Sequence, residues 1–449
     1  MMKNTRLLTR TVVFLACSVT NVAQAQSPDI LSKISAGRVA VISDGDYVAG
    51  TYANSILAPA GGAYRDAFTL LSIQGGKVTS SEVLVSNSVT AAPEILELTQ
   101  DGRTAFVTER LGQRPESGTR VSDLPPGRRL FAIDLSDPSA PRIAATAEIE
   151  VNPEGLAVSP DGRHVAVVSN SAEKSVVQVV EFLNGRFGDV RRYDLADLGV
   201  SGTASRPRGG VTATNVQWHP NGEVLAVNVN TQDRVAFLRF ADGAAEGDLE
   251  IWGNIVDVGK DPFVGRFTPD GRHYLTSNWG RNFVATTLEG RIPEASSTMS
   301  VIRIADLEAD TPKHGRLATI DTGVSAEGMA VSPDGRMVAT FNMQGTSFPP
   351  SSPRYGREAA VSLMTFDPDQ GRLTKIGDYP FQGVLPEGGT FDLTGDHLIA
   401  TVFEGHPGTG PELGAGLEVF RVVKGNAPRL ERLGRVALPH GAHHVDVSR

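Results

Sequence analysis

The sequence predicts an all-β chain, a seven-bladed β-propeller of four-stranded antiparallel blades closed by N- and C-terminal strands in one blade. Three observations carry this expectation. A hairpin motif recurs along the chain at near-constant spacing. Its flanks alternate apolar and polar residues with period two. Long helical periodicity is absent, while glycine (48) and proline (27) are plentiful.

The clearest copies of the motif are Glu154-Gly155-Leu156-Ala157-Val158-Ser159-Pro160-Asp161-Gly162 and Glu327-Gly328-Met329-Ala330-Val331-Ser332-Pro333-Asp334-Gly335. Weaker copies end in Asp101-Gly102, His219-Pro220-Asn221-Gly222, Thr268-Pro269-Asp270-Gly271 and Leu393-Thr394-Gly395, and Ser43-Asp44-Gly45 is the weakest. The turn glycines at 45, 102, 162, 222, 271, 335 and 395 recur every 49–64 residues, so seven modules are expected. Proline presets φ and glycine supplies a positive φ, which makes P-D-G a tight turn with a mechanism. Strands are expected on both sides of each turn, with a third at 175–182, 361–366 and 417–422 and a fourth such as 142–149. Residues 442–448 copy the first half of the repeat and then the chain stops. They read as the strand that latches the ring, competing with 38–42 for the innermost place in the closing blade.

Residues 1–25 read as an export leader. Lys3, Arg6 and Arg10 precede an apolar core at 12–19, and Ala23-Gln24-Ala25 gives the small-x-small cleavage pattern. Leu15-Ala16-Cys17 offers a lipoprotein alternative. Residues 26–449 are then one domain, expected in the periplasm or outside the cell. Cys17 is the only cysteine, so this domain has no thiol or disulfide and no cysteine-based metal or nucleophile chemistry. The formal net charge is −9, of which the leader contributes +3, leaving −12 for the domain. Nothing suggests the basic face that nucleic acid needs, and no apolar run reaches the ~20 residues of a membrane-spanning helix. A monomer with a small-molecule ligand or an exported protein as partner is expected.

The S-P-D-G-R hairpins resemble the YVTN-repeat and lactonase-type propellers, a group that includes bacterial 6-phosphogluconolactonase-like and carboxymuconate-cyclase-like proteins. The resemblance spans nearly the whole domain and implies the fold. For activity it implies either a hydrolase or cyclase or a binding protein. WD repeats are disfavoured, with only Trp218, Trp252 and Trp279 present and no Trp-Asp signature.

The repeat register locates a site. Residues just before the first strand and just after the second should meet around one mouth of the central channel, opposite the P-D-G turns. The position eight before each turn glycine holds Gly37, Glu94, Glu154, Thr214, Phe263, Glu327 and Glu387, and the terminal half-repeat places His443 there. The second strands end at Glu109-Arg110, Asn170, Asn228 and Asn230, Asn278, Asn342 and Glu404. A mouth ringed by Glu, Asn and a His is expected.

Carboxylates and amide oxygens suit a hard cation such as Ca²⁺. Calcium-dependent gluconolactonase and paraoxonase-like propellers hold their metal with Glu and Asn in such a place, and the resemblance makes Glu94, Glu154, Glu327 and Glu387 the metal candidates. The structural alternative pairs these glutamates with arginines, Arg110, Arg206 and Arg208 being available, or uses them to cap backbone groups. Glu154, Glu327 and His443 are the catalytic candidates. Arg110, Asn170, Asn230, Asn278, Asn342 and Glu404 are the ligand-binding ones. Irregular loops at 112–128, 198–214, 345–357 and 405–416 fall on the same face and are expected either to form a lid or to lie as solvated loops.

His164, His273 and His397 are expected to be exposed on the far face, His219 to serve its turn, and His444 to pack while His443 faces the mouth. No G-x-S-x-G, H-E-x-x-H, Walker or C-x-x-C motif is present.

Three functions compete. A lactonase-type hydrolase or cyclase would use a mouth carboxylate or His443 to activate water and an arginine or cation to hold the oxyanion. A YVTN-type propeller would bind without catalysis. A metal oxidase-like site would use the C-terminal histidines. Lactonase-type propellers that this chain resembles often carry His where it has Glu before the innermost strand.

Overall fold

The computed structural model describes residues 27–448 apart from 62–63, 203–209, 242, 244 and 246. The leader read at 1–25, and Arg206 and Arg208, lie outside the described residues. Seven antiparallel sheets follow one another around an axis. Blade 1 runs, from the axis outward, Ala442–Ser448, Arg38–Ser43, Ala67–Gln74 and Lys77–Leu84. The chain's last strand is therefore innermost, and the ring closes by pairing the two ends of the chain. Blades 2 to 7 each run outward in chain order, with innermost strands Leu96–Leu98, Pro153–Val158, Ala213–Trp218, Pro262–Phe267, Ala326–Val331 and Gly389–Phe391. No described helix is long and apolar enough to cross a membrane.

The hairpin motif works as its composition suggests. Ser159 Oγ donates to Asp161 Oδ1 (2.6 Å) and accepts from the His164 N–H (2.9 Å), and Asp161 Oδ1 accepts from the Arg163 N–H (3.0 Å). The Ser332 and Thr268 turns repeat this network. Gly162 and Gly335 sit at φ +71° and +67°, where only glycine is free of strain.

One anchor is misassigned by the sequence. Gly45 has no positive φ, because it follows a second strand rather than a first. The seventh inner hairpin does not exist, since the C-terminal latch supplies that strand. The count of seven stands, but the ring position expected at Gly37 belongs to His443. His164 and His273 are buried rather than exposed, because they open second strands that neighbouring elements cover; the His273 ring packs edge-on to Phe366. His397 is half-buried and bonded to Asp392.

Candidate functional site

The seven ring positions occupy one structural role. In blades 1, 3, 4, 5 and 6 the inner ladder slips at this residue, so His443, Glu154, Thr214, Phe263 and Glu327 sit on a bulge, and Glu94 and Glu387 lie two residues before their strands. A bulge frees one residue from the ladder and re-aims its side chain. Two residues earlier, Asn152, Asp261, Ser325, Leu385 and Gly441 adopt left-handed backbone, at φ between +51° and +92°. The glycine of the E-G pair has a packing reason. A Cβ on Gly328 would strike the Glu387 carbonyl, and one on Gly388 would meet the His443 carbonyl at 2.8 Å.

Four consecutive ring residues are engaged by their neighbours. Glu94 pairs with Arg266 at 2.6 Å. Glu154 lies 3.2 Å from Arg110 Nε, while Arg110 Nη1 donates to Asn152. Thr214 Oγ1 donates to the Pro262 and Phe263 carbonyls. Phe263 stacks under the Arg281 guanidinium at 4.4 Å. Burial raises the Glu94 and Glu154 carboxyls, and these arginines offset it.

The next three ring residues are different. Glu327 Oε2, Glu387 Oε2 and His443 Nδ1 are buried with no hydrogen-bond partner among the described residues. Burial pushes Glu327 up to about 8 against the pull of Arg281, and pushes Glu387 well above the carboxylate range with help from the charge of Glu327. His443 Nε2 faces Asn87 Oδ1 (2.9 Å), whose amide group donates to the Ser43 and Val85 carbonyls. That network assigns the proton to Nε2 and leaves Nδ1 as a bare acceptor. Burial holds this imidazole neutral, down to about 3.

Arg281 stands at the junction of the two arcs. Its Nε and Nη2 fork onto Asp261 at 2.7 and 3.0 Å, and Asn230 Nδ2 donates to the same carboxylate. Trp279 stacks on the guanidinium at 4.0 Å. Nη1 carries no intramolecular hydrogen bond among the described residues, and Glu327 and Glu154 feel its charge.

One apolar cluster runs from between blades 5 and 6 into several loops beside the ring. Tyr47 and Leu57, Leu124, Trp279 and Ile292, Met343 and Phe348, and Leu385 pack together with Phe263, flanked by Tyr52 and Tyr355. Arg354 stitches two of these loops by donating to the Glu289, Ile292 and Pro293 carbonyls. The expected loops 112–128 and 345–357 therefore bury side chains in this cover, Leu124 and Phe348 among them. So does 44–58, which the misplaced Gly45 anchor had hidden. Tyr52 hangs from that segment and donates to Glu387 Oε1 at 3.3 Å. Under this cover the ring glutamates are at most 8% exposed.

The other expected site residues divide. Asn278 and Asn342 turn into their own blades, bonded to Ser300 and Thr298 and to Ser362. Asn170 spans to the next inner strand through Ala213. Glu404 accepts from the Ala49 N–H (3.2 Å), lies 3.8 Å from His440, and is raised to about 7 by burial. His444 Nδ1, Asp446 and Glu97 cap the inner-edge N–H groups of Leu96, Leu98 and Val158, so His444 has a framework role.

Calcium is tested by the donor set. Among the described residues, the one acidic or histidine trio whose ligand atoms lie within 4.8 Å of each other is Asp44, Asp46 and Asp66, outside the ring. Asp44 there accepts from the Val89, Asp46 and Tyr47 N–H groups and knits the 44–58 segment. Glu94 and Glu154 face arginines, and Glu327 and Glu387 are not joined by a third convergent ligand. The four ring glutamates do not assemble a calcium cage here.

Sequence reasoning missed Tyr52, Asp261 and Arg281. The available signal was the second-strand end, where Arg281 comes three residues after Asn278, as Arg110 comes next to Glu109.

No protein-family model matches the sequence, and no curated protein matches it. Solved structures do. A periplasmic gluconolactonase of Pseudomonas aeruginosa aligns with TM-score 0.61 at 18% identity, over 92% of this chain and 99% of that one. Proteins described as putative 6-phosphogluconolactonases from Bacteroides fragilis and Bacteroides uniformis align with TM-scores 0.59 and 0.60 at 13% identity, over 91–92% of this chain. A protein of unknown function from Desulfotomaculum acetoxidans aligns equally well, at 0.59 and 14%. At these identities the likeness is one of fold.

Proposed function

We propose that this chain is an exported, monomeric propeller of the YVTN and lactonase type that hydrolyses a small sugar lactone at the arc formed by Glu327, Glu387 and His443. The carrying observation is the pair of buried carboxyls, each with an oxygen unpartnered among the described residues, on adjacent blades beside the fixed guanidinium of Arg281. Such a pair titrates as a unit, and its environments push the two protons apart.

Glu327, nearer Arg281, ionises first and takes a proton from water as it attacks the lactone carbonyl. The carbonyl π electrons move onto oxygen, where Arg281 Nη1 meets the developing oxyanion. On collapse the C–O ring bond breaks, and Glu387, still protonated and anchored by Tyr52, gives its proton to the leaving alkoxide. His443 Nδ1 accepts a substrate hydroxyl. The apolar lid excludes bulk water, so it must open to admit substrate.

The lactonase-like fold neighbours support this reading, and one of them is described as periplasmic. The test is aldono-1,5-lactone opening measured against the spontaneous rate, for wild type and Glu327→Gln. Enzymic turnover that the substitution removes is expected. Absence of turnover, with lactone analogues still bound, would leave a purely binding propeller in its place.

A further inference from the structure

Solved structures that share this fold include both a gluconolactonase and putative 6-phosphogluconolactonases. We infer that the arc of Glu327, Glu387 and His443 accepts an uncharged polyhydroxy lactone and rejects its phosphorylated counterpart. This inference rests on the lactonase reading and names its substrate class.

A phosphate dianion moved under an apolar lid loses its hydration and needs unpaired cations, usually arginine forks, in exchange. Among the described residues, the arginines buried at the arc are already engaged, and those of the covering loops without an acidic partner, Arg120, Arg291 and Arg357, lie exposed on the outer surface. Arg281 is neutralised by a two-pronged contact with Asp261, which is fully buried. Arg110 lies against Glu154, Arg266 against Glu94, and Arg114 near Asp46. Arg354 spends its guanidinium on three backbone carbonyls of the lid. Acidic groups, in contrast, exceed their partners. Among the described residues, Glu327 and Glu387 have no cation within ion-pair distance, and Glu404 has only the neutral imidazole of His440 at 3.8 Å.

The free polar atoms of the arc suit hydroxyl groups. His443 Nδ1 can only accept, the two carboxyl groups can accept or donate according to protonation, and Arg281 Nη1 can only donate. A polyol with one carbonyl satisfies this inventory without introducing charge.

The experiment uses the whole protein with glucono-1,5-lactone and its 6-phosphate for turnover, and 1,5-anhydroglucitol and its 6-phosphate for binding by calorimetry. The expected result is a kcat/KM at least 100-fold lower for the phosphorylated lactone and binding at least tenfold weaker for the phosphorylated analogue. In Glu327→Gln/Glu387→Gln the binding gap should narrow severalfold. Comparable turnover of both lactones would overturn the inference and leave the hydrolase standing. So would acceptance of the phosphate that disappears in Arg206→Ala/Arg208→Ala. Selective binding of the neutral analogue without turnover would support the inference and overturn the hydrolase. Binding of neither analogue, without turnover, would overturn both.

Discussion

The two arcs of the ring share a backbone and differ in what meets their side chains. Across blades 2 to 5, Glu94, Glu154, Thr214 and Phe263 are each engaged by an arginine or a carbonyl. Across blades 6, 7 and 1, Glu327, Glu387 and His443 each keep a buried polar atom without a partner among the described residues. An unpaired buried polar group costs stability, so a fold that retains three in succession is storing it where a ligand can relieve it. Position in the repeat sets where a side chain points, and the neighbours in space decide whether it is framework or chemistry.

The comparison can be broken most decisively by activity. Glu327→Gln should lower kcat on an accepted lactone by about 10²–10⁴, the usual scale of a lost general base. Thr214→Ala, on the engaged arc, should leave kcat within about threefold. Steady-state kinetics on both variants decides it, and equal losses would erase the distinction between arcs. Arg281→Lys sharpens the boundary. Lysine keeps the charge but cannot fork onto Asp261, so kcat should fall by about 10–100-fold while KM moves less.

Stability against pH is the next test. Glu327 has a folded pKa of about 8 against an ordinary 4.5. Between those values the folded chain holds a proton that the unfolded chain has released. Stability therefore falls as pH rises through that window. Glu387 has the same sign. The melting temperature should drop from pH 7 to 8, inside that window and where buried histidines no longer contribute. Glu327→Gln should flatten that drop, and an unchanged slope would contradict the protonated assignment.

The smallest effect concerns the frame shared by both arcs. Gly328→Ala should destabilise by about 1–3 kcal/mol in denaturant melts, because its Cβ meets the Glu387 carbonyl. Gly315→Ala, with open space around it, should change stability by less than about 0.5 kcal/mol.

The fold was legible because each hairpin announces itself locally, through Ser159, Asp161 and Gly162 and their copies. The ring position was legible for the same reason, since counting back from a turn glycine reaches the same structural position in blades 2 to 7. Which glutamates are free was not legible. Glu94 is answered by Arg266, 172 residues away in sequence, and no local pattern signals that pair. Tyr52 and Asp44 were hidden because the first visible strand pairs second, beside a latch from the far end of the chain. Asn278 and Asn342 looked like mouth residues from strand ends alone, but the hydroxyls of the third strand turn them inward.

The most direct test of the two arcs compares the melting temperatures of Glu387→Gln and Glu94→Gln at pH 8. At pH 8 the folded chain must keep a proton on Glu387 that the unfolded chain releases, and glutamine removes that cost, so that variant should melt higher than wild type by about 1–3 °C. Removing the Glu94 charge leaves Arg266 buried without its partner, so that variant should melt lower by about 3–5 °C. Shifts in the same direction would show that the two glutamates occupy equivalent environments, contrary to the division of the ring.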